Sequence, residues 1–306
     1  MTPALGSGAR PDAEVCVPVA TVWRSPESPR EIDEPATRDI PDVAVWATAM
    51  DAETRLGLHG RTETQLLMGE PVIVLAEHHG WSQVVAPWQP SSADERGYPG
   101  WVRSAHLAQP VARLEGPTAY AARSTPCRVA GTDLALSPGT VLRVDGLDDR
   151  TAEILLPGGR RAEVPRAAVR LSDKGQPAST DVGPVLDTAR GFLGLGYLGG
   201  GTSGWGLDCS GLVHLCWRVQ GLVLPRDAHD QVAAVEPVPL DQVSPGDLYF
   251  FGRPGEKVYH VGFVTRPVEA DGTRWMLHAP EGGGIEDAPM AAHRLETLVS
   301  AGRVTR

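Results

Sequence analysis

Gly206-Leu207-Asp208-Cys209-Ser210-Gly211-Leu212-Val213 sets a cysteine at the joint between a glycine-rich loop and an apolar-periodic run. Eight of the sixteen residues from Gly191 to Gly206 are glycine, and after the cysteine Leu212, Val213, Cys216 and Val219 recur at helical spacing. The pattern predicts a helix that starts near Cys209. The unpaired N–H groups of a first helical turn, the helix dipole and a nearby imidazolium can lower a thiol pKa from roughly 8.5 to roughly 3.5–7.5. A thiolate nucleophile is therefore the functional reading of Cys209; a buried structural cysteine is the alternative, since free Cys is among the most buried residue types.

A cysteine nucleophile needs a base and a group that orients the base. His260 precedes an apolar strand and His278 sits in or at the end of the next one, so adjacent antiparallel strands would bring the two rings together. His78, His79, His106, His214 and His229 read as solvated or locally bonded. A zinc site from Cys209, Cys216, His260 and His278 is disfavoured, because Cys-x6-Cys on a helix matches no usual metal pattern. Cys216, two turns on, reads as core, and no metal or other cofactor is expected.

The chain has 306 residues, enough for two or three domains. Lys and Arg total 28 against 38 Asp and Glu, a net charge of −10 without a basic stripe, so nucleic acid is not an expected partner. With 35 glycines and 27 prolines, short strands joined by turns are favoured over long helices. No run of eighteen apolar residues and no basic-then-apolar leader occurs, so neither a membrane partner nor secretion by that route is expected. Four scattered cysteines without a Cys-x-x-Cys pair fit reduced thiols, and a cytoplasmic monomer is the expectation.

Residues 1 to about 14 read as a loose arm, followed by a strand-like Val15–Val22 and a long Pro/Glu/Arg-rich loop to Pro41. An internal repeat then shows. Leu136–Val144 echoes Leu67–Val74, Ile154-Leu155-Leu156 echoes Val84-Val85, and Ala162–Val169 echoes Gly100–Leu107. The order of turn, strand, hairpin return, helical turn and last strand resembles the bacterial SH3-type module, in two copies. A polar linker from Ser172 to Thr180 leads into a helix whose apolar stripe is Val185, Leu186, Ala189, Phe192 and Leu193. The expected domains are 1–108, 109–174 and 175–306. In the last, helices precede strands, which predicts an α+β fold with an antiparallel sheet.

Asp208-Cys209-Ser210-Gly211-Leu212-Val213, Pro225-Arg226-Asp227-Ala228 with Gln231, Pro245-Gly246-Asp247-Leu248-Tyr249-Phe250-Phe251, His260-Val261-Gly262 and Leu277-His278-Ala279 follow one another in the order of the NlpC/P60 family of papain-like cysteine peptidases. The resemblance covers about residues 180–300. With two SH3-like barrels ahead of a papain-like α+β domain, the whole resembles the γ-D-glutamyl-L-diamino acid endopeptidases of cell-wall peptides. It implies Cys209 as nucleophile, His260 as base and His278 as its orienting residue. The oxyanion would be held by the Cys209 N–H and Tyr197, with Ser210 beside them. One position departs from the family: Gly199 stands where a Trp is frequent, and Trp205 is the candidate to fill its space.

The resemblance also implies that the first barrel closes the cleft over a peptide with a free N-terminal L-alanine. Its ammonium must meet carboxylate, and Glu70, Tyr98 and Asp227 are the residues whose motif positions suit this. The expected activity is hydrolysis of the bond from γ-D-Glu to lysine or diaminopimelate, in recycling of liberated peptidoglycan peptides. A papain-like acyltransferase or amidase, or an inactive wall-binding protein, is the alternative.

Overall fold

The computed structural model describes residues 11–110, 118–121, 125–129, 132–172 and 180–305. Of the arm expected at residues 1 to about 14, residues 1–10 lie outside the described residues and its end is instead a buried strand, Ala13–Val15; the linker core at 173–179 and the junction at 111–117 also lie outside the described residues.

Seven strands build the first barrel: β1 (Ala13–Val15), β2 (Val19–Trp23), β3 (Thr62–Leu67), β4 (Pro71–His78), β5 (Trp81–Ala86), β6 (Tyr98–Arg103) and β7 (Leu107–Ala108). Seven more build the second: β8 (Thr118–Ala121), β9 (Thr125–Val129), β10 (Thr132–Leu136), β11 (Val141–Leu147), β12 (Thr151–Leu155), β13 (Arg161–Pro165) and β14 (Val169–Ser172). The strand order is 3-2-6-5-4-1-7 in the first sheet and 10-9-13-12-11-8-14 in the second, the same path with every number raised by seven. The echoes between the two stretches are thus two copies of one topology. Each copy places a 3-10 turn, Ser104–His106 or Arg166–Ala168, before its last strand.

The first barrel differs from the second by an insertion between β2 and β3. Three short helices fill it: α1 (Glu34–Thr37), α2 (Val43–Ala49) and α3 (Ala52–Leu56), the last two capped by Asp42 and Asp51 on Val45 N and Thr54 N. The long polar loop is therefore partly helical. Buried Asp33 anchors it, accepting from Trp46 Nε1 at 2.8 Å and pairing with Arg30 at 2.9 Å.

The third unit opens with α4 (Val182–Arg190), N-capped by Asp181. It buries Val185, Leu186 and Ala189, but ends before Leu193, which is 49% exposed and so is not part of the predicted stripe. Gly206–Leu207 pairs with Thr202–Ser203 as the small hairpin β15–β16 (β15, Thr202–Ser203; β16, Gly206–Leu207), which delivers the chain to α5 (Cys209–Val219). After the single-turn α6 (Ala228–Gln231) come β17 (Glu236–Val238), β18 (Leu248–Phe251), β19 (His260–Val264), β20 (Trp275–His278), β21 (Glu286–Pro289), α7 (Ala292–Leu295) and β22 (Leu298–Arg303). They form one antiparallel sheet in the order 17-22-18-19-20-21. Among the described residues no helix is long and apolar enough to cross a membrane.

One apolar core spans the first barrel and this third unit. Val19, Trp23, Trp46, Leu58 and Leu67 pack with Leu212, Leu215, Trp217, Phe250 and Val261. Burying apolar surface together at this seam is worth about 25 cal/mol per Å², which favours the docked arrangement of the barrel on the helix that carries Cys209. The second barrel has a separate core, Leu142, Val144, Ile154 and Val164 among its members.

Candidate active site

Asp208 is the N-cap of α5, its Oδ1 accepting from Gly211 N at 2.7 Å, which sets Cys209 as the first helical residue. Arg226, 1% exposed, locks that cap. Its Nη2 reaches Asp208 Oδ2 at 2.6 Å and its Nη1 reaches Oδ1 at 3.0 Å, while Nε donates to Thr64 Oγ1 of the first barrel at 2.9 Å. A bidentate guanidinium–carboxylate pair of this kind fixes direction as well as distance. Ser210 belongs to the same network, donating to Asp208 Oδ1 at 3.2 Å and accepting from Arg226 at 3.0 Å. Its hydroxyl is thus committed to the cap and is no substrate ligand, which corrects the sequence expectation.

The antiparallel pairing of β19 with β20 brings the two histidines together. His260 Nε2 lies 2.8 Å from His278 Nδ1, with ring centroids 4.9 Å apart and planes at 85°. Gly262 makes this approach possible: a Cβ there would lie 2.6 Å from Met276 Sδ and 2.9 Å from His278 Cβ. His278 Nε2 faces Glu286 Oε1 at 3.4 Å. A carboxylate favours an N–H at Nε2, which leaves His278 Nδ1 as an acceptor; His260 then carries its proton on Nε2 and a lone pair on Nδ1, the form a base requires.

Cys209 Sγ contacts the Tyr259 carbonyl at 4.0 Å, beside the first residue of β19. Burial pushes its thiol up to about 12, and the charge of Asp208 adds to this; N–H groups of Val261 and Ser210 and the charge of Arg226 oppose without prevailing. Burial therefore works against the thiolate that the helix terminus favours. His260 is held well below its usual value, by burial first and then by Arg294 and His278, and His278 is brought to about 4 by burial, Arg294 and His293. Burial thus disfavours charge on the thiol and on both imidazoles alike.

Tyr197 is buried and its hydroxyl is 3.5 Å from His59 Nε2 of the first barrel. Burial raises its pKa, and the nearby Cys209 and Asp208 add to this, so it stays a protonated donor. The space at Gly199 is closed by the same barrel and not by Trp205. A Cβ on Gly199 would lie 3.3 Å from His59 Cδ2 and 3.4 Å from Leu58 Cβ, and Thr62 Oγ1 donates to Gly199 O at 2.8 Å.

Of the residues expected to meet an ammonium, two come together and one does not. Tyr98 OH donates to Asp227 Oδ2 at 3.0 Å across the barrel seam. Asp227 begins α6 but makes no side-chain cap bond, so its carboxylate is free for this contact. Glu70 is elsewhere: fully buried, it accepts from Arg218 Nη1 at 2.6 Å and Leu67 N at 2.7 Å, with Gln89 Nε2 at 3.3 Å. It ties the turn between β3 and β4 of the barrel to α5 and offers nothing to a ligand. Sequence reasoning missed Glu63 in β3. Its pKa is raised, by burial first and in part by the charge of Asp227, and that of Asp227 is raised by burial against the pull of Arg226. Arg24 Nε, on a largely exposed side chain, is 3.8 Å from Glu63. Two partly buried carboxylates near a protonated phenol form a site where a cation is favoured.

Residues 194–302 match the NlpC/P60 family, and residues 58–107 match the bacterial dipeptidyl-peptidase SH3 domain. The chain is 35% identical to a γ-D-glutamyl-L-lysine dipeptidyl-peptidase of Bacillus subtilis, over 87% of this chain and 88% of the relative. A relative of the same description from Bacillus cereus is 31% identical over 88% of this chain and 83% of its own. The crystal structure of an NlpC/P60 family protein from Bacillus cereus superposes with a TM-score of 0.88 at 28% identity, covering 95% of this chain and 99% of that one. The chain belongs to the NlpC/P60 family of cysteine peptidases.

Proposed function

We propose that this peptidase cuts L-Ala-γ-D-Glu from the diamino acid that follows it, in short peptidoglycan peptides with a free amino terminus. The observation that supports it best is the cluster of Glu63, Tyr98 and Asp227 next to the nucleophile's helix. Asp227 follows Arg226, which clamps Asp208, the residue before Cys209. An ammonium seated between the two carboxylates relieves their repulsion, whereas an acylated amine brings these partly buried groups no counter-charge. The second support is the pair of relatives named as γ-D-glutamyl-L-lysine dipeptidyl-peptidases over most of their length.

In this reading the Cys209 thiol passes its proton to His260 Nδ1 as Sγ attacks the γ-carbonyl carbon. The imidazolium so formed donates from Nε2 to His278 Nδ1, and His278 is held in that tautomer by Glu286. The oxyanion forms at the start of α5, where the Cys209 N–H and the Tyr197 hydroxyl can donate. His260 then protonates the leaving amine, and afterwards takes a proton from the water that releases the acyl group. Because burial disfavours charge on either group alone, the thiolate is stabilised by the counter-charge that His260 takes up.

Mass spectrometry of products from L-Ala-γ-D-Glu-L-Lys and its N-acetyl form tests the reading. The dipeptide and lysine are the expected products. Acetylation is expected to lower kcat/KM by two orders of magnitude or more, about 3 kcal/mol of recognition. Equal cleavage of the two peptides would refute the amine requirement.

A further inference from the structure

The two flanks of the Cys209–His260 pair carry opposite charge. Glu63 and Asp227 stand on the cysteine side. On the histidine side is Arg294 of α7, half-buried, with Cζ 5.9 Å from the ring centroids of both Phe251 and Tyr259. Both rings border His260, with centroids 5.5 and 6.4 Å from the imidazole's. Arg253 Cζ lies 5.2 Å from the Tyr259 ring and pairs loosely with exposed Glu256 at 3.5 Å. Among the described residues Arg294 has no carboxylate at ion-pair distance and its guanidinium donates no hydrogen bond, while the Glu286 carboxylate on this flank is turned to His278. A half-buried guanidinium held on aromatic rings keeps its donor fork unspent, and a planar carboxylate is the group that fits that fork.

The reaction proposed above says which carboxylate would reach it. The acyl portion of the substrate occupies the cysteine side, and the leaving nitrogen takes its proton from His260, so the leaving residue lies on the histidine side. That nitrogen is the α-amine of a diamino acid, and its α-carboxylate is two bonds away. When the peptide ends at this residue the group is an anion; when the chain continues it is a neutral amide. We propose that Arg294 receives the α-carboxylate of the leaving diamino acid, so that the enzyme selects peptides ending at that residue. This deepens the functional reading and rests on it. The cleft is then matched at both ends to a zwitterionic tripeptide, with acid around its ammonium and base beside its carboxylate. The field of Arg294 also opposes protonation of both histidines. A bound carboxylate offsets that field and strengthens His260 as a base at the moment the thiol's proton must move.

The test compares three peptides on the full-length protein: L-Ala-γ-D-Glu-L-Lys, its carboxy-terminal amide, and L-Ala-γ-D-Glu-diaminopimelate amidated only at the α-carboxyl. The free-acid lysine peptide is expected to exceed its amide in kcat/KM by about tenfold or more, the scale of one charge-assisted bidentate pair. Arg294→Gln should bring that ratio close to one, and Arg294→Lys should keep part of it. The ratio is internal to each preparation, so partial misfolding of a variant does not alter it. Equal cleavage of acid and amide by the wild type, or an unchanged ratio in Arg294→Gln, overturns the assignment. Cleavage of the amidated diaminopimelate peptide at the free-acid rate would place the side-chain carboxylate at Arg294 and overturn the α-carboxylate as its ligand. Cleavage of none of the three would remove the functional reading and this subsite with it, whereas an acid–amide ratio of one leaves that reading standing.

Discussion

Glu63→Gln and Glu70→Gln separate a ligand carboxylate from a structural one, because the proposed reading gives them opposite roles a few residues apart. The Glu63 carboxylate about 4 Å from a substrate ammonium, at an effective dielectric near 20, would be worth about 4 kcal/mol. Its side chain is 30% exposed, so solvent reduces this toward the roughly 1.5–3 kcal/mol of a charged hydrogen bond. Glu63→Gln should therefore lower kcat/KM for L-Ala-γ-D-Glu-L-Lys by about ten- to a hundredfold, and have little effect on the N-acetyl peptide. Its melting temperature should hold or rise, since a carboxylate that pays for burial and repels Asp227 becomes neutral. Glu70→Gln does the reverse. It leaves Arg218, whose side chain is 3% exposed, with an uncompensated buried charge, a loss of about 3–5 kcal/mol. At roughly 2–4 °C per kcal/mol that is a fall of roughly 6–20 °C in melting temperature. The surviving folded fraction should still discriminate free from acetylated amine. Steady-state kinetics on both peptides with a thermal melt of each variant decide the matter. If Glu63→Gln kept wild-type discrimination, or if Glu70→Gln abolished it without loss of stability, the assignment of the ammonium site would be wrong.

Cys209→Ala and His260→Ala should abolish turnover with unchanged circular dichroism, and His278→Ala should retain a residue of activity, because an orienting ring is easier to replace than a nucleophile or base. The raised pKa values of Asp227 and Glu63 place their protonation above the ordinary carboxylate range, so kcat/KM for the free-amine peptide should fall as pH drops through them. Stability moves the other way, since a carboxyl with a raised folded-state pKa favours the fold at low pH and loses that contribution as pH rises through it; pH profiles on free and acetylated peptides, with melts over the same range, would show both limbs or refute the coupling. Gly199→Trp should detach the first barrel locally, because the indole would have to displace His59 and Leu58; faster proteolysis in the 52–62 segment is the readout, and an unaltered cleavage pattern would contradict it.

Local chemistry made much of this protein readable from its sequence. Asp208 before a helical run sets Cys209 at a helix start through one capping bond, and period-two strands either side of a turn set His260 against His278, because adjacent antiparallel strands leave few registers. The repeat of turn, hairpin and last strand is likewise local, and it emerged as two sheets of one topology. Tertiary structure decided what depends on groups distant in the chain. Glu70 sits in a conspicuous Gly-Glu-Pro turn, yet Arg218, 148 residues away, takes its charge; Glu63, in an unremarkable strand, faces Asp227, 164 residues on. The thiol's ionisation divides in the same way: the helix terminus that favours a thiolate is visible in the sequence, but the burial that opposes it exists only once the chain has packed. Electrostatic energies depend on distance and on excluded water, and neither is set until the separate elements have packed.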